Sequence, residues 1–359
     1  MLTPDGCRQR RQRLLDALKP ATALLLGDPL NLRYFAACHI DAFSLGADFG
    51  GLLRIEPDGT ATLFYDKRVP SSVERAQVDA RVPIAWYDGK SPGVGNRRWS
   101  LHDTVAQNGG RVHDSLADPD AAKLWDAVTQ FRRAKDGDEL DQLRACMGPT
   151  EAGHAWARAN VVAGMTELDV YNGVFTAVSK AVGRPAVVYG DFTVSTGATK
   201  HGGPATDHVL VDGETYILDF SVVLDGYRSD FTNTVVVGGR PTAEQQRLFD
   251  LSLSAMKAGE ALLKAGTPCQ AVYDAVRGVF AAAGVADSFP HHAGHGIGVG
   301  HPEAPFFVAH ATETLVVGDV VTLEPGLYVD GVGGVRIEHN YAITATGFER
   351  LSNHTLSLT

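Results

Sequence analysis

The sequence predicts an α+β protein of two domains: an α/β domain first, then a larger domain built from a duplicated α+β unit. Three observations predict it. The chain has 359 residues, 44% of them hydrophobic and 21% charged, which suits a packed core and, at about 150 residues per domain, two domains. The first third alternates short strand and helix patterns. The second half repeats itself: Ala163-Gly164, Val170-Tyr171 and Val174 recur as Ala265-Gly266, Val272-Tyr273 and Val276, all offset by 102 residues. So short a match also arises by chance; as a true duplication it describes two half-domains with a site at the seam between them.

The elements follow in chain order. Residues 8–18 read as a helix, with Leu14, Leu15 and Leu18 at helical spacing. Residues 21–28 read as a buried strand, and 51–66 as a hairpin around Pro57-Asp58-Gly59. Tyr87–Asn96, rich in Gly, Pro and Ser, reads as a loop. A long, charge-dense helical pattern fills 126–160, and Asp138 and Glu139 stand at a helix start, where the helix dipole favours them. The domain boundary is expected near residue 132, giving domains 1–131 and 132–359.

Composition also excludes. The net charge is −10 with no long basic run, so phosphate-driven nucleic-acid binding is not expected. No apolar stretch approaches the roughly 20 residues of a membrane helix, and the start shows no apolar secretory core. Four scattered cysteines (Cys7, Cys38, Cys146, Cys269) without a CxxC pair suit a reducing compartment. A cytoplasmic protein without membrane or nucleic-acid partners is expected.

The chemistry concentrates late. Seven of the thirteen histidines lie between His291 and His354. In residues 215–238, Asp219 ends an apolar strand-like run and Asp230 opens another across a turn at Gly226, which brings two carboxylates together; two ordinary turn aspartates are the alternative. His295 lies between glycines, flanked by His291 and His301, and a plain loop histidine is the alternative. Glu324 ends a strand-like run before Pro325-Gly326. Glu338 sits in the alternating stretch Val335–Glu338, facing either solvent or a cation. Together, two Asp, two Glu and one His form an oxygen-rich donor set suited to Mn²⁺ above all, with Co²⁺ or Zn²⁺ as alternatives. Four carboxylates carry about four negative charges, which two divalent ions with a bridging hydroxide would balance.

The order Asp219, Asp230, His295, Glu324, Glu338, each in its own motif, resembles the pita-bread metallopeptidases, the family of prolidase, aminopeptidase P and methionine aminopeptidase. The carrying words are Gly226-Tyr227-Arg228-Ser229-Asp230-Phe231-Thr232, Gly294-His295-Gly296-Ile297-Gly298, Leu323-Glu324-Pro325-Gly326-Leu327-Tyr328 and Val335-Arg336-Ile337-Glu338. Asn31-Leu32-Arg33-Tyr34 is similar to a motif of the family's N-terminal creatinase-like domain, and Phe131–Asp136 to the linker entering the catalytic domain.

The resemblance implies a creatinase-like α/β domain followed by a pseudo-twofold pita-bread domain. It implies that Asp219 holds a first metal, that Asp230 and Glu338 bridge two, and that His295 and Glu324 hold the second. It implies a bridging water as nucleophile, with Glu324 as its base; His201 and His301 would hold the substrate and the tetrahedral intermediate. Arg336, Thr232 and His291 would support ligands or substrate. Xaa-Pro dipeptidase is the first expectation, acting on a small peptide with proline second, as a homodimer. The alternatives are an Xaa-Pro aminopeptidase on longer peptides, a pita-bread enzyme for a non-peptide substrate, and a non-catalytic binding module, which the intact five-residue set argues against.

The chain departs from the pattern near the expected substrate site. One residue is missing between His295 and His301, and one is added between His201 and Asp219. Ser221 and Asn233 replace residues usual in the family.

Overall fold

The computed structural model describes residues 1–39, 51–66, 73–84, 90 and 97–359. The chain forms two compact units, one of residues 1–132 with 136–139, the other of 133–135 with 140–359.

In the first unit, the helix Pro4–Leu18 starts where Thr3 accepts the Gly6 N–H and proline occupies the first turn. It buries Leu14 and Leu15, two of the three leucines its spacing marked, and packs Leu18 half-buried against the same core. A four-stranded sheet has the order β1 (Leu24–Leu26), β2 (Leu52–Ile55), β3 (Ala61–Asp66), β4 (Ala80–Ile84), antiparallel except for the parallel β3–β4 pair. The hairpin 51–66 forms as expected. The strand expected over 21–28 shrinks to three residues, because Asp28 caps the helix Pro29–Ala36 instead. Lys90 apart, the loop expected at Tyr87–Asn96 lies outside the described residues.

The helical pattern expected over 126–160 is two helices, Ala121–Arg133 and Gly137–Asn160, the second opening where Asp138 and Glu139 marked a helix start. The break at 134–136 has a physical cause in the second unit. Arg133 makes a buried two-pronged ion pair with Asp319 (Nε–Oδ1 3.0 Å, Nη2–Oδ2 2.7 Å). Lys135 donates its backbone N–H to the Gly318 carbonyl and pairs its ammonium with Glu303 at 2.9 Å.

The second unit shows the duplication in three dimensions. The helices Glu167–Val182 and Cys269–Ala282 begin 102 residues apart. Gly164 donates to the Leu210 carbonyl and Gly266 to the Leu315 carbonyl, in like turns with φ of 91° and 89°. Val170, Val174, Val272 and Val276 are all fully buried. The repeat is therefore structural: each valine pair is the core-facing stripe of an equivalent helix.

Each half carries a sheet. In the first, β6 (Thr215–Leu224) is central, pairing antiparallel with β5 (Val187–Ser195), β7 (Tyr227–Arg228) and β8 (Phe231–Val236). In the second, the order is β10 (Glu303–Phe307), β9 (Gly294–Gly296), β11 (Val320–Leu323), β14 (His339–Ile343), β15 (Phe348–Arg350). β12 (Gly326–Val329) and β13 (Gly333–Arg336) form a separate ribbon. The second half's core centres on Leu248, Val276, Phe280, Val321, Leu323 and Tyr341.

Two glycines occupy equivalent places. Gly190 in β5 (φ 151°) and Gly294 in β9 (φ 153°) let a strand pass so close to its neighbour that a Cβ would lie 2.1 Å from the Asp219 carbonyl oxygen and 2.2 Å from that of Thr322. Each stands one residue before a side chain of the site, Asp191 and His295.

Candidate active site

The two halves place carboxylates in matching positions. Asp230 immediately precedes β8 and Glu338 immediately precedes β14; Asp219 lies on β6 and Glu324 immediately follows β11. Two sequence expectations are corrected here. Asp219 does not end its strand but sits in the middle of β6, and Glu338 lies between β13 and β14 rather than inside one strand.

These side chains converge. Three donor groups have ligand atoms within 4.8 Å of one another: Asp219, Asp230 and Glu338; His292, His295 and Glu324; and Asp230, His295 and His301. His295 Nε2 lies 3.6 Å from Asp230 Oδ2 and 3.5 Å from Glu324 Oε1, which joins the groups. Glu338, His295, Asp230 and Glu324 are between 1% and 7% exposed, so bulk water does little to screen their charges.

Neighbours fix each donor. Thr232 Oγ1 donates to Glu338 Oε2 (2.6 Å) and Thr322 Oγ1 to Glu324 Oε1 (3.0 Å). Asn340 accepts the Asp230 N–H at 3.0 Å, and Ser221 donates to Asp230 Oδ1 at 3.3 Å. His295 Nδ1 lies 3.0 Å from the Gly296 carbonyl, a contact that leaves Nε2 facing the carboxylates. Arg336 spans Asp191 (2.6 Å), Asp219 (2.7 Å) and the Tyr328 hydroxyl (3.1 Å).

The electrostatics are those of a cation site. Burial, then the charges of Asp230, Asp191 and Glu324, push the Asp219 carboxyl up to about 7 against the pull of Arg336. Burial and the charges of Asp230, Asp219 and Glu324 raise Glu338 well above the carboxylate range. Burial also works to raise Glu324, but the hydrogen bond from His292 and the charges of His292, His295 and His291 overcome it and hold this carboxyl low. Burial lowers His301 and His292, and their bonds to Asp230 and Glu324 reverse the sign and raise both. A site that must keep protons on buried carboxylates to limit repulsion will exchange those protons for divalent ions. The oxygen-rich set with imidazole fits such ions.

A cavity of about 400 Å³ opens onto this cluster, lined among others by Tyr189, Asp191, Pro204, Ser221, His301 and Pro302. His301 Nε2 reaches Asp230 Oδ2 at 2.7 Å across the shortened loop. His291 bonds the Tyr328 hydroxyl at 3.1 Å, and burial foremost lowers it to about 4. His201 packs its ring on Tyr328, with centroids 4.5 Å apart, outside the donor groups and the cavity wall. Asn233, expected near substrate, is on the opposite face of β8; it exchanges hydrogen bonds with the backbone of Ser357.

Sequence reasoning missed His292, Asp191, Tyr328 and Asn340. His292 carried a signal, being three residues before His295. Asp191 and Asn340 became visible only through strand register.

Fold and site define a metallopeptidase-like centre. Residues 141–345 match metallopeptidase family M24, and the chain belongs to that family. It is 30% identical to an uncharacterized peptidase of Staphylococcus haemolyticus (93% of this chain, 95% of the relative). It is 27% identical to one of Staphylococcus aureus (95% and 98%). Among solved structures it resembles an Xaa-Pro dipeptidase from Bacillus anthracis (TM-score 0.77, 24% identity, 98% and 99% covered). It also resembles an X-Pro aminopeptidase from Thermotoga maritima (0.79, 22%, 97% and 98%). These likenesses span nearly the whole chain and show the α+β fold of this group, with its pita-bread domain in the second unit. Among the described residues, no helix is long and apolar enough to cross a membrane.

Proposed function

We propose that this protein is an Xaa-Pro dipeptidase that works with two divalent ions, Mn²⁺ foremost and Co²⁺ or Zn²⁺ as alternatives. The observation that carries the proposal is the sharing of Asp230 between a carboxylate group (Asp219, Asp230, Glu338) and an imidazole-bearing group (Asp230, His295, His301), joined through His295 to Glu324. Asp219 would hold one ion, His295 and Glu324 the other, and Asp230 and Glu338 both. Ions held there supply Lewis acidity and a nucleophile at neutral pH.

The chain's own groups do the rest. Glu324, kept ionised, accepts the proton of the attacking water. His301, anchored on Asp230, offers an N–H at the cavity wall to the oxygen that gains charge. Arg336 keeps Asp219 in place. The named activities of the structural neighbours support the proline specificity. The cytoplasm, expected from cysteine usage, and a homodimer, expected from the family, complete the proposal; all four cysteines are buried and none is in a disulfide.

The test is product analysis by mass spectrometry with Ala-Pro, Ala-Pro-Ala and Ala-Ala-Ala, in Mn²⁺ and then in chelator. Metal-dependent release of alanine from Ala-Pro is expected. Cleavage of Ala-Pro-Ala alone would make the protein an Xaa-Pro aminopeptidase, and no cleavage of either proline peptide would point to a non-peptide substrate.

A further inference from the structure

His292 is outside the five-residue set, yet its ring faces one of that set's carboxylates. It lies three residues before His295, on the segment that leads into β9. Its backbone is tied down on both sides. His291 Nδ1 lies 2.7 Å from the His292 carbonyl, and the Ala293 carbonyl accepts the Glu324 N–H at 2.9 Å. The half-buried ring stands on the cavity wall with Nε2 3.1 Å from Glu324 Oε1. The His295 ring is beside it, with centroids 5.3 Å apart, and faces the same oxygen with Nε2 at 3.5 Å.

The spacing is that of donors around one ion. Two donors about 2.1 Å from a shared ion stand about 3.0 Å apart at a right angle and about 3.4 Å apart at the tetrahedral angle. The contacts His292–Glu324, His295–Glu324 and His295–Asp230 measure 3.1, 3.5 and 3.6 Å. The lone pairs agree. Glu324 Oε1 accepts the Thr322 hydroxyl at 3.0 Å, which leaves it one lone pair. An N–H of His292 and a cation compete for that lone pair. With it given to a cation, His292 in the tautomer protonated on Nδ1 presents the bare Nε2 as a further donor. His295 is held in the same sense, with Nδ1 against the Gly296 carbonyl.

We propose that His292 is a sixth metal-holding residue, a ligand of the ion at the His295–Glu324 end. The proposal rests on the two-ion reading above and makes the two ends of the site unlike. Asp219, Asp230 and Glu338 offer oxygen alone, which suits Mn²⁺. The other end offers two imidazoles, which favours Zn²⁺ or Co²⁺ over Mn²⁺. His292 thereby sets which ion that end keeps.

The test uses the full chain, stripped with chelator and given one equivalent of Zn²⁺. X-ray absorption at the zinc edge should count two imidazoles in the wild type and one in H292Q, which keeps an N–H for Glu324 but has no ring nitrogen. Competition with a chromophoric chelator should show Zn²⁺ affinity lower in H292Q by about 100-fold or more, the top of the range for residues that only support a ligand. Mn²⁺ affinity should fall by less than about 10-fold, because imidazole matters less to that ion. A single imidazole in the wild type overturns the assignment without any variant. Two imidazoles in both proteins would give the second to His301 and also overturn it, as would equal losses of Zn²⁺ and Mn²⁺ affinity. If the wild type cleaves neither Ala-Pro nor Ala-Pro-Ala, the peptidase function fails, and the imidazole count still decides His292. A wild type that binds no Zn²⁺ overturns both.

Discussion

Thr232 holds Glu338 twice: its hydroxyl donates to Glu338 Oε2 at 2.6 Å, and its carbonyl accepts the Glu338 N–H at 3.0 Å. The first half of the duplicated unit thereby fixes a carboxylate contributed by the second. Thr232→Val keeps the shape and removes the hydroxyl. A hydrogen bond to a charged group is worth about 1.5–3 kcal/mol, so Mn²⁺ affinity should fall about 10-fold or more while the protein stays folded. Calorimetric titration with Mn²⁺ reads this, and unchanged affinity would show that Thr232 does not support the ion site.

Metal binding should strengthen with pH and release protons. Asp219 is raised to about 7, and burial with the charges of Asp230, Asp219 and Glu324 raises Glu338 well above the carboxylate range, so on acidification from neutrality the site holds protons that a cation must displace. In the metal-free protein the raised Asp219 contributes stability that is complete below its unfolded value, about 3.9, and is lost as pH rises through 7. Titrations in buffers of different ionisation enthalpy should show at least one proton released per protein at pH 6.5, and a larger metal-induced rise in Tm at pH 7.5 than at pH 5.5. Equal rises at the two pH values would contradict the protonated-carboxylate picture.

His301→Ala should separate binding from turnover. His301 meets Asp230 at 2.7 Å on the cavity wall, but Asp230 keeps Ser221 and Asn340 as partners. Metal content should stay near that of the wild type, and kcat should drop by about 100-fold or more, the usual scale for a lost oxyanion donor. Wild-type kinetics would mean that the shortened loop has moved this histidine out of the reaction.

Much of the site was legible because each of its five central residues lies in its own short word, and glycine or proline punctuates those words. The duplication was legible for a similar reason: two valines per copy mark a helix stripe that must be buried, and the fold buries all four. What stayed hidden depends on pairing between strands. Asp191 looks like any strand aspartate until β5 lies against β6 and brings it opposite Asp219. Asn233 looked like a cavity residue because it departs from the family's pattern near the expected substrate site, yet pairing with Leu218 turns it to the far face. Asp219 seemed to end its strand because a charge usually does; here the strand continues because the charge faces the cavity and Arg336 meets it.

Behind that sheet lies a histidine cluster with its own pH signature. The ring of His154 stacks on Phe220 and Phe231 and lies 4.7 Å from His354, which lies 4.7 Å from His339. His154 bonds the Phe231 carbonyl and His354 the Thr232 carbonyl, both at 3.0 Å. Burial foremost lowers all three, His154 well below 6.5, His354 to about 4 and His339 to about 2, with Arg158 and Arg350 adding to the effect. Above pH 6.5 these rings are neutral in both folded and unfolded chains and leave stability unchanged. Between pH 6.5 and 4 the unfolded chain takes up protons that the folded one refuses, so stability falls on acidification by about 1.4 kcal/mol per pH unit for each ring. Asp219 acts in the opposite direction, so the comparison needs a matched variant. His354→Gln keeps a donor for the Thr232 carbonyl but cannot titrate. Its denaturant-measured stability should fall less steeply than the wild type's between pH 6.5 and 4.5, by about one proton's slope. Identical slopes for the two proteins would show that His354 already shares its proton with solvent.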